Sequence, residues 1–101
     1  MKQSSFIFQK DASIVSREIE GEVILVPIRQ NVGDLESIYT LNETAARAWV
    51  LFDGERTLEQ IKDEIVAEFD VGNEQARLDL IELVYQLVEA GAIHRVNEAQ
   101  E

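Results

Sequence analysis

Few residues of this chain have the types and spacing that chemistry requires. The only histidine is His94, and the chain has no cysteine. A pair of imidazole ligands, a thiolate metal site, a cysteine nucleophile and a disulfide are therefore all excluded. His94 follows the last predicted helix and stands beside Arg95, so we expect a solvated residue of a polar tail. The sequence predicts no metal, no organic cofactor and no enzymatic activity.

The remaining polar residues do not form a recognisable reactive site either. Asp63, Glu64 and Glu68 lie on the polar side of a predicted helix. No aspartate-rich calcium loop accompanies them, so we expect a solvated face. The five glycines are scattered along the chain as turn and cap residues and do not form a phosphate-binding loop. Trp49 is expected to anchor the core.

The distribution of charge restricts the partners of the protein. The chain of 101 residues has a net charge of −11, and residues 41–101 carry five Lys/Arg against fourteen Asp/Glu, a balance of −9. Nucleic-acid affinity comes largely from Lys and Arg that neutralise phosphates, so no nucleic-acid partner is expected. No apolar run approaches the roughly 20 residues of a membrane span, and no signal peptide is visible. We therefore predict a cytoplasmic protein without a membrane partner.

The first 41 residues predict a small antiparallel sheet of three strands. Residues 13–28 are typical of a hairpin that turns at Glu20-Gly21-Glu22, where glycine supplies a positive φ. Ser37–Leu41 is rich in residues that favour strands and forms the third strand. Residues 1–12 are expected to be a flexible N-terminal arm. Phe6 and Phe8 either pack against the sheet as an extended segment or stay exposed on a frayed terminus.

Three helices are predicted after the sheet. The first spans 43–52 behind an Asn42 cap, and the second spans 58–69 behind a capping box of Thr57 and Gln60. The third spans 74–90 and is ended by Gly91. A strand that leads into two closely spaced helices is typical of winged helix-turn-helix domains. The predicted fold class is therefore α+β, winged helix-turn-helix-like, with a three-stranded antiparallel sheet followed by three helices.

The third predicted helix has more apolar surface than a small core requires. One apolar stripe is expected to face the core. Its members are Ala76, Leu80, Leu83, Val84 and Leu87. A second apolar side extends this stripe around the helix through Leu78, Ile81, Tyr85 and Val88. Either the sheet packs on this second side, or the second side meets a partner.

The order and spacing of several short motifs resemble a known family. These motifs are Leu41-Asn42-Glu43-Thr44-Ala45, Asp53-Gly54-x-Arg56-Thr57-x-x-x-Ile61, Phe69-Asp70, and Asp79-Leu80-x-x-x-Val84-x-x-Leu87-x-x-x-Gly91. Together they resemble the PqqD-like family, whose founding member serves in the synthesis of coenzyme PQQ (pyrroloquinoline quinone). The same fold recurs as the recognition element for ribosomally made, post-translationally modified peptides (RiPPs). The resemblance places a PqqD-like domain at residues 13–93 and a polar tail at residues 94–101.

The resemblance implies a non-catalytic peptide chaperone. Such proteins bind the leader of a precursor peptide by β-strand addition and present it to a modifying enzyme, either a radical SAM enzyme or a leader peptidase. The implied site lies between the third strand and the third helix. Its residues are Ser37, Ile38, Tyr39, Thr40, Leu78, Ile81 and Tyr85. The acidic helices would favour a leader that carries Lys or Arg.

Two other functions compete with this hypothesis. A structural domain that only dimerises would use the same edge as the peptide. Tyr85 and Val88 are bulkier than the family pattern predicts, so they either reshape the groove or form a dimer contact. A DNA-binding winged helix is disfavoured by the acidic helices.

Overall fold

The computed structural model describes residues 5–28 and 39–96. Within these ranges the fold is α+β, with antiparallel sheets and three helices. The strands are β1 (Ile7–Lys10), β2 (Ile14–Ile19), β3 (Glu22–Pro27), β4 (Tyr39–Leu41), β5 (Asp53–Thr57) and β6 (Ile93–Arg95). The helices are α1 (Glu43–Leu51), α2 (Leu58–Glu68) and α3 (Asn73–Glu89).

The predicted sheet is present and has the strand order β2-β3-β4. Its hairpin pairs Ile19 with Glu22, so Glu20 and Gly21 form a two-residue loop. Both loop residues have positive φ, 53° and 85°, which suits the twist of a tight hairpin. β4 pairs with β3 on one side only, and its other edge has no partner among the described strands.

A second sheet corrects the expectation of a single one. Its strand order is β5-β1-β6, with β1 in the middle. Phe8 of β1 is buried and packs edge to face on Phe52, with the ring centres 6.4 Å apart. Of the two alternatives for the aromatic residues near the N-terminus, the structure therefore shows packing. This sheet was missed because each of its strands is short and pairs with residues far away in sequence.

The three helices agree with their predicted bounds to within one residue at each end. The Asn42 side chain accepts a hydrogen bond from the Ala45 N–H at 2.8 Å, as expected of an N-cap. Thr57 and Gln60 form the predicted capping box. These local signals fix where α1 and α2 begin, and β4 leads directly into α1.

The core lies between the helices and the two sheets. Trp49 is 3% exposed, which confirms that it anchors the core, and Phe52 and Leu87 are fully buried. Lys62 is the one buried charged residue among those described. Its ammonium donates to Asn73 Oδ1 at 2.6 Å and pairs with Glu59 and Asp63 at 2.9 Å, which connects α2 to the start of α3. None of the described helices combines the length and the apolar character needed to cross a bilayer.

Candidate functional site

A groove of about 320 Å³ is lined by residues of β4, α1 and α3. Ile65 of α2 and Val71, which follows that helix, contribute to its lining as well. The groove therefore lies where the first sheet meets all three helices. It is the natural candidate for a binding site, since concave surfaces of this kind bury the most ligand surface.

β4 forms one wall of the groove. Tyr39, Thr40 and Leu41 all line it, and along this strand Leu41 is buried whereas Thr40 is exposed. The strand that lines the groove is also an edge strand of its sheet, with one edge unpaired among the described strands. A free edge presents backbone N–H and C=O groups that another chain can pair with. Two of the site residues predicted from the sequence, Ser37 and Ile38, lie outside the described residues.

Small side chains create the space in the groove. Ala45 and Ala48 of α1 line it, and Ala76 of α3 does so as well. Ala48 and Ala76 are buried, so larger residues at these positions would occupy the volume that the groove now has. The sequence pattern indicates Ala76 only as a member of the core stripe of its helix and Ala45 only as part of a short motif. Their role in the groove depends on how the helices pack together, which no local pattern reveals.

One face of α3 forms the opposite wall. Asp79, Leu83 and Gln86 line the groove and are spaced i, i+4 and i+7, so they share one face of the helix. Leu83 is half-buried against the core, whereas Asp79 and Gln86 are exposed. Glu82 also reaches the groove. This wall is therefore apolar near the core and acidic or polar towards solvent. The sequence analysis did not identify these polar residues, because it considered only the apolar positions of the helix.

Three residues that the sequence analysis assigned to the site lie elsewhere on α3. Leu78, Ile81 and Tyr85 do not line the groove. At about 100° per residue, their face is centred roughly 130° away from the groove face. Leu78 is 53% exposed and Tyr85 is 68% exposed, whereas Ile81 between them is half-buried, so the described elements leave most of this second side of the helix uncovered. The structure thus brings Tyr39 and Thr40 into the groove and places the α3 residues on a separate surface.

The charges of the groove are all negative. Asp79 and Glu82 line it, and no Lys or Arg does among the described residues. Within residues 5–28 and 39–96, no group of three His, Cys, Asp or Glu side chains is arranged to hold a metal ion. His94 is exposed on β6 and is not one of the lining residues. The groove thus combines a strand edge that can form backbone hydrogen bonds, a small apolar floor and negative charge. Each of these features can contribute to the binding of a ligand.

A short strand with a free edge, set against a helix over a small groove, defines a compact α+β binding domain. The family model for coenzyme PQQ synthesis protein D (PqqD) matches residues 22–93, which include every wall of the groove. The chain belongs to the PqqD family.

A solved structure and the curated proteins complete the comparison. The structure of TbiB1 in complex with the TbiA(beta) leader peptide has a TM-score of 0.71 and 23% sequence identity to this chain. The likeness covers 89% of this chain and 99% of that chain, and it shows that the two share a fold. No curated protein matches the chain.

Proposed function

We propose that this protein binds the leader segment of a ribosomally made precursor peptide and presents it to a modifying enzyme, without catalysing a reaction itself. The observation that carries the proposal is that β4, which has no second partner among the described strands, lines a groove together with α3. Membership of the PqqD family supports it. So does the shared fold with TbiB1, a protein solved with a leader peptide.

The proposed mode of binding is β-strand addition to β4. Backbone hydrogen bonds to the free edge supply affinity, and alternate side chains of the leader point towards α3 and give selectivity. The three residues of β4 extend over about 10 Å, at roughly 3.3 Å per residue. This length pairs with a short segment of the leader. Ser37 and Ile38, which the sequence analysis also assigned to the site, lie outside the described residues.

The proposed contacts on the helix are Leu83 and Gln86, since they line the same groove as β4. Leu78, Ile81 and Tyr85 stay a prediction of the sequence analysis, which the experiment below decides.

The predicted likeness to winged helix-turn-helix domains also fits this proposal. Such frameworks bind nucleic acid or peptide, and a balance of −9 over residues 41–101 favours a peptide. The modifying enzyme is proposed to be a radical SAM enzyme or a leader peptidase.

An NMR titration tests the proposal, with a synthetic leader taken from the precursor peptide encoded beside the gene. We expect the amide signals of Tyr39, Thr40 and Leu83 to shift most. A matched pair of variants separates the two faces of α3. Gln86→Trp places a bulky ring in the groove and should weaken binding about tenfold or more, whereas Tyr85→Trp should leave it within about twofold.

The opposite ranking of the two variants would assign the leader to the side of Leu78, Ile81 and Tyr85. Shifts confined to α2 and the second sheet would place the site away from β4 altogether and contradict strand addition. Both variants are at exposed positions, so neither is expected to unfold the domain.

The uncovered apolar side of α3 favours a second candidate function, a scaffold that dimerises. Leu78, Tyr85 and Val88 are all more than 40% exposed there. Exposed apolar patches on small proteins often mark contact surfaces. This function predicts that the sedimentation coefficient rises with protein concentration and that Tyr85→Asp abolishes the rise. A coefficient that stays at the value of a monomer over the whole concentration range would exclude the scaffold function.

A further inference from the structure

The acidic residues of the groove have no cationic partner among the described residues. Asp79 accepts a hydrogen bond from the Gln75 side-chain amide at 2.9 Å, which leaves its charge uncompensated. Glu82 is exposed and forms none of the ion pairs found in residues 5–28 and 39–96. The groove therefore presents two negative charges on one helix wall.

The nearby basic residues on the helices are already paired. Arg47 forms a two-pronged contact with Glu68 at 2.8–3.1 Å, and this hydrogen-bonded carboxylate raises the pKa of Arg47. Arg77 pairs with Glu74 at 3.0 Å. Lys62 is held by Asp63 and Glu59, whose hydrogen bonds raise its pKa. Recruiting any of these cations to the groove would break an existing ion pair.

Apolar surface lies directly beside the two carboxylates. Leu83 follows Glu82 and is one helical turn from Asp79, and it lines the same groove. A Lys or Arg side chain suits this arrangement, since its alkyl stem can cover Leu83 while its charged end reaches a carboxylate. Asp79 and Glu82 are about 4.5 Å apart along the helix axis, so a single cation can interact with both.

A ligand without a cation would bind less well. A strand added to β4 would cover part of the groove and remove water from Asp79 and Glu82. Taking a carboxylate out of water is costly unless it is paired. An acidic side chain at the same position would add direct repulsion. Binding in the groove would therefore depend on the charge of the side chain that faces α3.

We propose that the groove selects a peptide strand that carries a Lys or Arg facing α3, with Asp79 and Glu82 as its recognition residues. This proposal rests on the proposed function, because it requires a strand added to β4. It defines the class of leader as one with a basic residue inside the segment that pairs with β4, next to side chains small or apolar enough to enter the groove.

Selection from a displayed library of random peptides tests this proposal, because the library samples every residue type at each position of a strand. The protein is used in three forms. These are the parent, a groove variant with Asp79→Asn and Glu82→Gln, and a control variant with Glu55→Gln and Glu89→Gln. The control removes the same amount of charge at exposed positions outside the groove. We expect the parent and the control to enrich peptides with a Lys or Arg at one fixed position, and the groove variant to lose this enrichment.

Individual peptides then measure the interaction itself. Replacing the enriched Lys by Gln should weaken binding to the parent about tenfold and to the groove variant less than about twofold, as a double-mutant cycle requires for a direct contact. The parent's preference should also diminish as salt concentration rises.

The possible failures can be told apart. Peptides that shift the NMR signals of β4 and α3 but show no basic position would overturn the charge selection and leave the proposed function intact. An enrichment that the control variant loses as fully as the groove variant would assign the attraction to the whole acidic surface and overturn it too. Selected peptides that bind away from β4, or no binders at all, would contradict the proposed function and with it this inference.

Discussion

At the level of single residues, two side-chain caps determine where the helices beside the groove begin. Asn42 Oδ1 accepts hydrogen bonds from the Ala45 N–H at 2.8 Å and from the Thr44 hydroxyl at 3.1 Å. The Thr57 hydroxyl accepts from the Gln60 N–H at 3.2 Å, and Gln60 Oε1 accepts from the Thr57 N–H at 2.9 Å. Each cap satisfies backbone donors that no helical carbonyl can reach.

Removing either cap should lower the stability of the domain. We expect Asn42→Ala and Thr57→Ala each to reduce the free energy of unfolding by about 1 kcal/mol, because a first-turn N–H loses its partner. Denaturant titrations measure the effect. Asn42→Asp and Thr57→Ser keep the acceptor and serve as controls, which should stay close to the parent. Alanine variants with unchanged midpoints would show that the caps do not contribute.

Asp53 gives the stability of the domain a dependence on pH. Its burial alone would raise the pKa of the carboxyl, but hydrogen bonds from the backbone N–H groups of Arg56 and Glu55, at 3.0 and 2.9 Å, outweigh this effect, and the nearby Arg56 guanidinium adds to them. The pKa of Asp53 is therefore lowered from its ordinary value of 3.8. Its stabilising contribution is present above that value and is lost as the pH falls through the lower pKa of the folded state.

The variant Asp53→Asn isolates this contribution. We expect it to be less stable than the parent at pH 7, by less than about 1 kcal/mol because the site is near the surface. The difference should shrink as the pH is lowered below 3.8. Urea unfolding at a series of pH values measures both trends. A difference that stays constant down to about pH 2 would mean that the Asp53 charge does not stabilise the fold.

At the level of elements, β1 is tied to the end of α1 by one lysine. The Lys10 ammonium donates to the carbonyl oxygens of Trp49, Val50 and Phe52 at 3.2, 3.3 and 2.9 Å. It also lies 5.7 Å from the centre of the Trp49 ring. Desolvation lowers the pKa of Lys10, while the Asp53 charge partly opposes this effect. Carbonyls at the end of a helix lack intrahelical donors, so this side chain acts as a C-terminal cap supplied by a distant strand.

Lys10→Met should therefore detach β1 from α1 in part. The methionine keeps most of the apolar stem but leaves three carbonyls without this donor, so we expect a loss of about 1–2 kcal/mol in the free energy of unfolding. Lys10→Arg retains donors and charge and should lose less. Thermal and urea unfolding measure both variants. If Lys10→Met were as stable as the parent, water would satisfy these carbonyls equally well and the lysine would not stabilise the fold through them.

The helices were predictable from the sequence because their signals are local. Asn42 and the pair Thr57 and Gln60 mark the starts of α1 and α2, and apolar periodicity gives their lengths. β4 was predictable for the same reason, since its residues Tyr39–Leu41 belong to a segment rich in types that favour strands. The second sheet was not, because β5 contains the polar sequence Asp53–Thr57 and its partner β1 is distant along the chain. Its strand character comes from tertiary pairing, which local propensity does not encode.

The candidate site was predictable only in its strand half. Tyr39 and Thr40 follow from the position of β4, but the wall on α3 does not follow from periodicity. Helical periodicity identifies the faces of α3 and not which of them the sheet approaches. The site residues on this helix were predicted from its second apolar side, which includes the exposed Tyr85. Packing places Leu83 and Gln86 beside the groove.

At the level of the whole molecule, net charge determines which polymers can approach. The balance of −11 over 101 residues opposes association with a phosphate backbone. We expect no mobility shift of duplex DNA even at low salt, where electrostatic attraction is strongest. The same assay with random-sequence DNA and a basic DNA-binding protein provides the positive control. A shift that persists with random-sequence DNA would contradict this prediction.

The position of β1 has a consequence for how the chain folds. Phe8 pairs with Arg95, 87 positions later, and Ile7 pairs with Thr57 on the other side of the strand. The chain between such distant residues must lose conformational entropy before the residues can pair. Contacts of this kind are therefore associated with slow folding. The hairpin of β2 and β3 and the capped helices can form from neighbouring residues alone. The closure of the second sheet around β1 is thus expected among the last steps of folding, after the walls of the groove have begun to assemble.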